Sequence, residues 1–360
     1  MGSRGGNQSV VSLYICVSGR LSQIWSEAVP GKIESVSFAD VSGDSAPEIC
    51  VQTRVFDQPE NRSSPLGCSC LLVYENRSVT YELAYNATFR SNTWDLVRVH
   101  AIDYYGNGTR CLLVSLDQTL HLFRCVQGIY SHVAELPYTL LNDFAVGDVN
   151  NDGRADIVTT RWGLNVLENQ GTGFFLERPK RGDMGPIDEV EVGDVNRDGQ
   201  NEIVMVGINS INRPNAVCLS VWKYVDRDYR ELWTYRGPSE PATAIQSMDI
   251  GDVNGDGIDE IVTSAELTFG ESTNSTRGMS IWKSRGTGRP FFRLWEGKDT
   301  LSVNFMQVLR VCSMDDSGGE KVVGLDTDGK LYLIGRKGGT YRTRSIAVKK
   351  ASCLDVWPIV

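Results

Sequence analysis

Short apolar runs rich in Val, Ile and Leu recur along the whole chain, separated by clusters of Gly, Asp, Asn and Pro, and no long stretch carries helical periodicity. After Asp148, for example, strand signals fall at 155–161, 163–167 and 173–177, followed by the apolar run 190–192 that leads into the next repeat. Four short antiparallel strands per period, without helices, predict the blade of a β-propeller. Such periods begin near residues 40, 103, 148, 194, 252 and 313. The spacing predicts blades at about 33–90, 95–136, 140–178, 187–235, 243–295 and 303–346, in one propeller domain spanning 10–360, with 1–9 as a disordered N-terminus or expression scar.

The two ends of the chain complete this pattern. Val11-Ser12-Leu13-Tyr14 with Leu21-Ser22-Gln23-Ile24-Trp25 matches the third and fourth strands of later repeats, such as Leu219-Ser220-Val221-Trp222 with Leu232-Trp233. The chain thus begins mid-blade, and 350–360 reads as an innermost strand. Joining 350–360 to 10–26 predicts a seventh blade, an all-β seven-bladed ring closed by both termini that leaves no open sheet edge. Trp25, Trp222, Trp233, Trp282 and Trp295 occupy equivalent blade positions, which predicts packing between blades.

Each period also carries a turn, and three of these turns share one chemistry. Residues 147–158 read GDVNNDGRADIV, 193–204 GDVNRDGQNEIV and 251–262 GDVNGDGIDEIV. Oxygen-bearing side chains fall at positions 1, 3, 5 and 9: Asp148, Asn150, Asp152 and Asp156; Asp194, Asn196, Asp198 and Glu202; Asp252, Asn254, Asp256 and Glu260. Ca2+ takes roughly six to eight hard oxygens, and a short loop supplies them when alternate residues point inward. Position 7 can add a backbone carbonyl, from Arg154, Gln200 or Ile258, and glycine at position 6 permits the bend. An EF-hand needs a glutamate at position 12, where Thr159, Met205 and Thr263 stand here. Asp, Asn and Gly also form such turns without metal. Near-identical copies nevertheless predict about three Ca2+ sites. Asp40, Ser42, Asp44 and Glu48 form a weaker copy with Ser45 at the glycine position, while the loops at 103–111 and 313–321 lack ligands and are expected to be empty.

The repeat form, carried most fully by Phe144-Ala145-Val146-Gly147-Asp148, resembles the FG-GAP/VCBS repeats of integrin α-subunit propellers and their microbial and fungal relatives. That resemblance implies a seven-bladed propeller with Ca2+ between the first and second strands of a blade. It leaves function open, because such propellers serve as adhesion receptors, as lectins and as modules of polysaccharide enzymes.

Composition narrows the choice. A net charge of −9 argues against nucleic acid as the main partner, and no apolar run is long enough to span a membrane. Sequons at Asn7, Asn61, Asn76, Asn86, Asn107 and Asn274 favour an extracellular or cell-surface protein, with a cytoplasmic scaffold as the alternative. The nine cysteines fit either buried thiols or one or two disulfides from Cys50 with Cys68 or Cys70 and from Cys111 with Cys125. No catalytic motif appears, and His100, His121 and His132 show no metal-ligand spacing. The expected function is a non-enzymatic binding or adhesion module for a protein or glycan, alongside any flanking domain or subunit. Recognition is expected through long loops opposite the metal face (56–67, 178–186, 207–215, 237–243 and 267–278), and Arg181-Gly182-Asp183 lies among them. The alternative is a carbohydrate-active lyase or hydrolase.

Overall fold

The structure is a computed structural model describing residues 8–17, 20–44, 46–56, 67–77, 80–91, 98–116, 119–136, 142–160, 163–171, 173, 175–180, 187–209, 216–236, 243–268, 275–286, 290–297, 306–312, 320–326, 330–337 and 340–346. All regular elements among them are strands. The chain divides into two compact units, Met1–Leu141 and Asn142–Val360.

The first unit opens with β1 (Gln8–Val17) and β2 (Arg20–Pro30), an antiparallel two-stranded sheet. Blade 1 follows as β3 (Lys32–Ala39), β4 (Glu48–Phe56), β5 (Gly67–Asn76) and β6 (Tyr81–Ser91), and blade 2 as β7 (Val99–Ile102), β8 (Cys111–Leu116), β9 (Thr119–Val126) and β10 (Ile129–Leu136). In the second unit, blade 3 is β11 (Asp143–Gly147), β12 (Asp156–Thr160), β13 (Leu164–Asn169) and β14 (Phe175–Lys180). Blade 4 is β15 (Ile187–Gly193), β16 (Glu202–Asn209), β17 (Ala216–Val225) and β18 (Asp228–Arg236). Blade 5 is β19 (Thr243–Gly251), β20 (Glu260–Thr268), β21 (Ser275–Ser284) and β22 (Phe291–Gly297). Blade 6 is β23 (Met306–Cys312), β24 (Lys321–Asp326), β25 (Leu331–Lys337) and β26 (Thr340–Ile346).

Each of these sheets runs in simple sequence order with antiparallel neighbours, so the fold class is the expected all-β propeller of four-stranded blades. The expected count of seven is corrected to six four-stranded blades among the described residues. β1 and β2 do form the expected hairpin, with Leu13 opposite Trp25, but as a sheet of two strands. The partner expected for them, 350–360, lies outside the described residues.

The cores lie between neighbouring blades, which is why the inner strands read as unbroken apolar runs. Ala145, Val158 and Val166 of blade 3 pack with Val190, Ile203 and Met205 of blade 4, and Val204, Leu219 and Val221 of blade 4 with Met248, Ile261 and Trp282 of blade 5. Burying each such aliphatic side chain contributes about 1.5–3 kcal/mol. The tryptophans join this packing: the rings of Trp233 and Trp282 lie 5.8 Å apart across blades 4 and 5. Seven cysteines, Cys50, Cys68, Cys70, Cys111, Cys125, Cys218 and Cys312, are free thiols, so neither candidate disulfide forms. Burial pushes the Cys111 and Cys218 thiols up to about 11, which makes them poor nucleophiles.

Several last strands share an irregularity. The register slips by one residue opposite the third strand, leaving Ile24, Ala84, Val133, Leu232 and Leu294 unpaired in β2, β6, β10, β18 and β22. Such a bulge resets which residues share a face.

In the second unit the innermost strands are also clasped by carboxylates. Asp143 accepts the Val190 N–H at 2.9 Å, Glu189 that of Met248 at 2.5 Å and Asp249 that of Val311 at 2.6 Å. Burial and then the nearby Glu191 carboxylate push the Asp249 carboxyl up to about 7. A carboxyl raised in the folded state holds its proton longer than the unfolded chain does, so its contribution to stability falls as pH rises from about 4 to about 7. Asp249→Asn keeps an acceptor for Val311 and is expected to flatten that fall. Urea denaturation at pH 4.5 and 7.5 in saturating Ca2+ measures it, and an unchanged slope would assign the pH dependence to another group.

Candidate metal centres in the strand-joining loops

The acidic loops join the first and second strands of blades 3, 4 and 5, and their geometry starts with the first aspartate. Asp148 accepts the N–H groups of Asp152 and Gly153 at 3.1 and 2.8 Å. Asp194 does the same with Asp198 and Gly199, at 3.1 and 2.8 Å, and Asp252 with Asp256 and Gly257, at 3.0 and 2.7 Å. The fifth residue then accepts from the seventh: Asp152 from Arg154, Asp198 from Gln200 and Asp256 from Ile258. Gly153, Gly199 and Gly257 hold φ of +85°, +81° and +76°, a region in which a side chain is strained. The valine of each motif points the other way: Val149, Val195 and Val253 are buried in the interblade cores.

An internal comparison separates turn formation from metal ligation. The loop at Asp103 makes the same bonds, Asp103 accepting from Asn107 and Gly108 at 3.1 and 2.7 Å, although position 9 is Cys111. Asn107 also accepts from Thr109 at 3.0 Å, as the fifth residue of each strong loop does from the seventh, so the turn folds without a carboxylate at position 9 and its formation by itself does not report a metal.

At position 9 the loops divide into two kinds, according to the residue opposite on the third strand. Each ladder ends one pair beyond position 9, at Ile49–Tyr74, Ile157–Leu167, Ile203–Trp222 and Ile261–Trp282, so the next residue on the third strand is Glu75, Glu168, Lys223 or Lys283. Where a glutamate is opposite, the carboxylate turns to the backbone. Glu48 accepts the Val41 N–H at 2.6 Å, and Asp156 accepts from Val149, Asn150 and Asn169 at 3.2, 3.3 and 2.8 Å. Where a lysine is opposite, its ammonium enters the loop. Lys223 donates to Asp198 and, at 2.9 Å, to Glu202; Lys283 donates to Asp256 at 2.5 Å and to Glu260 at 2.6 Å. Among the described residues, the cation paired in the Asp148 loop is Arg154, which lies 2.5 Å from Asp152.

Burial pushes the Asp156 carboxyl up to about 7. It does the same to Glu202, also to about 7, although Lys223 pulls the other way, and it raises Glu260 against Lys283. Burial lowers both lysines, but their bonds to the paired carboxylates outweigh it and leave them raised.

The residues present fit a hard divalent cation. Asn196 Oδ1, Glu202 Oε2 and Glu260 Oε2 are buried oxygens without a hydrogen-bond partner, and each such group costs about 1–3 kcal/mol unless something satisfies it. Carboxylate oxygens of Asp252, Asp256 and Glu260 lie within 4.8 Å of one another, a span that Ca–O distances of about 2.3–2.6 Å can bridge.

The sequence-expected residues thus gather within each of the three strong loops. The Asp40 loop shares the fifth-to-seventh bond, Asp44 accepting from Ala46 at 2.8 Å, while Asp40 accepts from Gly43 at 2.8 Å. Arg181, Gly182 and Asp183, most of the long opposite-face loops, and 313–319 lie outside the described residues. Lys223 and Lys283 escaped the sequence reading, although each directly follows a buried strand tryptophan, Trp222 or Trp282.

Four-stranded antiparallel blades with acidic loops between their first two strands define a repeat-built β-propeller. Residues 148–205 and 194–263 match the model of the FG-GAP-like repeat family. The chain thus carries FG-GAP-like repeats over residues 148–263 within an all-β propeller of four-stranded blades. No curated protein matches it. Among the matching solved structures is rhamnogalacturonan lyase YesW, with a TM-score of 0.50 and 13% identity over 89% of this chain and 64% of that one. This chain therefore spans less than two thirds of the lyase, and the likeness is one of fold. No helix among the described residues is long and apolar enough to cross a membrane.

Proposed function

We propose that this protein is a calcium-stabilised binding module, with Ca2+ in the loops at Asp148, Asp194 and Asp252 and a weaker site at Asp40, Ser42, Asp44 and Glu48. The observation that carries the reading is the set of buried, unsatisfied oxygens of Asn196, Glu202 and Glu260 beside the other loop carboxylates. In the second and third strong loops the ion competes with a tethered ammonium, so Ca2+ binds by displacing Lys223 and Lys283 from their carboxylates. Recognition of a protein or glycan at the cell exterior falls to the long loops opposite. Asn76, Asn86 and Asn107 are exposed, as glycan acceptors must be.

A carbohydrate-active enzyme is the second reading, and the lyase of shared fold makes rhamnogalacturonan the first polysaccharide to test. The experiment is a glycan array including rhamnogalacturonan, read with Ca2+ and with EDTA, beside thermal denaturation under both conditions. At a hundredfold excess over Kd each occupied site adds about 2.7 kcal/mol, so melting is expected to rise in Ca2+. Saturable binding without new chain ends supports the module, and cleavage supports the enzyme. Identical melting with Ca2+ and EDTA would overturn the calcium assignment.

A further inference from the structure

Blade 2 holds a second kind of ligand cluster, remote in chemistry from the acidic loops. His121 on β9 and His132 and Glu135 on β10 bring three ligand atoms within 4.8 Å of one another. His121 Nδ1 lies 3.1 Å from His132 Nε2 and 3.8 Å from Glu135 Oε1. Ligands about 2.0–2.1 Å from a tetrahedral zinc ion sit about 3.3 Å apart, so both separations lie close to what one ion imposes. A hydrogen bond between neutral imidazoles would account for the shorter distance. It would not account for the carboxylate, which is too far from Nδ1 for a hydrogen bond yet converges on the same nitrogen.

The convergence depends on the bulge in β10. Residues three apart on a regular strand point to opposite faces, which would separate His132 from Glu135. Here Val133 is the unpaired residue: Phe123 stands opposite His132, Leu122 opposite Ala134 and His121 opposite Glu135. His121, Phe123, His132 and Glu135 therefore share one face. Other blades carry the bulge, but with different residues at the corresponding positions; in blade 4 these are Ser220, Glu231 and Thr234. Phe89 of blade 1 and Phe123 wall the cluster, with ring centroids 5.6 Å from His121 and 5.1 Å from His132. His121 is buried, whereas His132 and Glu135 are exposed, so the cluster opens to solvent on one side.

We propose that His121, His132 and Glu135 form a binding site for a divalent transition metal, zinc being the best match to two imidazoles and a carboxylate. Three protein ligands leave a fourth position for water, the pattern of sites that retain an exchangeable ligand. The acidic loops offer oxygen only and select hard cations, so the two kinds of site are chemically separable.

The test is a Co2+ titration of the full chain in saturating Ca2+, followed by competition with Zn2+. One equivalent is expected to bind with the visible spectrum of a nitrogen- and oxygen-ligated tetrahedral ion, and Zn2+ should displace it. His132→Ala and Glu135→Gln, both at exposed positions, are each expected to weaken binding at least tenfold with the circular dichroism unchanged. Absence of binding, binding that survives both substitutions, or a thiolate charge-transfer spectrum pointing to the cysteines would each overturn the assignment.

Discussion

Replacing Lys223 by methionine is expected to lower stability by about 3 kcal/mol in EDTA and by far less in saturating Ca2+. Methionine keeps much of the apolar stem and removes the ammonium. Glu202, fully buried at 0% exposure, then retains only the Asn196 side-chain amide as a donor, at 2.5 Å. Breaking one partner of a buried pair typically costs about 3–5 kcal/mol because the other charge stays uncompensated, and the low end suits a lysine that keeps some solvent contact. Ca2+ supplies the missing charge, so the variant should recover in calcium and bind the ion more tightly than the parent, having lost its internal competitor. Lys283→Met should behave alike, since Glu260 is also fully buried. Urea denaturation of each variant with Ca2+ and with EDTA decides the point. Equal losses in both conditions would mean that the lysine is a fixed structural partner and that no ion enters beside it.

The residues that made the fold legible are those with local physical consequences. The six described blades fall close to the ranges that apolar runs and turn residues outline, because each strand and each tight loop announces itself within a dozen residues. The carboxylates of a loop are likewise neighbours in sequence, so the candidate cages could be read directly. What escaped depends on pairing across strands. Lys223 meets Asp198 from 25 residues away, and nothing within the loop indicates whether the residue opposite position 9 is Lys or Glu. The histidine cluster was hidden for a related reason. His121 and His132 are 11 residues apart on neighbouring strands, and only the slipped register at Val133 places Glu135 with them. The expected seventh blade is not among the six described ones: β1 and β2 pair only with each other, and the segment 350–360 expected to join them lies outside the described residues.

Gly251→Ala is expected to cost about 3 kcal/mol, more than the same change at Gly147 and much more than at Gly193. All three are the first glycine of the GDVN motif, and at none of them is a left-handed φ the reason. The reason is the next blade. A Cβ on Gly251 would lie 2.4 Å from Val311 Cγ1 and 2.1 Å from Glu320 Oε2, the oxygen that accepts the Asp252 N–H at 2.8 Å. On Gly147 it would meet Val192 Cγ1 at 2.5 Å, and on Gly193 only Ile250 Cγ2 at 3.1 Å. Overpacking of this kind costs about 1–3 kcal/mol, and at Gly251 the displaced Glu320 adds a lost hydrogen bond of about 1 kcal/mol. The motif glycine thus records how closely the following innermost strand approaches. Its replacement should loosen the blade contact along with the loop, so Gly251→Ala should also weaken Ca2+ binding at Asp252. Thermal denaturation and Ca2+ titration of the three variants test the order 251, 147, 193. Equal costs at all three would rule out blade clearance as the cause and leave backbone freedom as the common explanation.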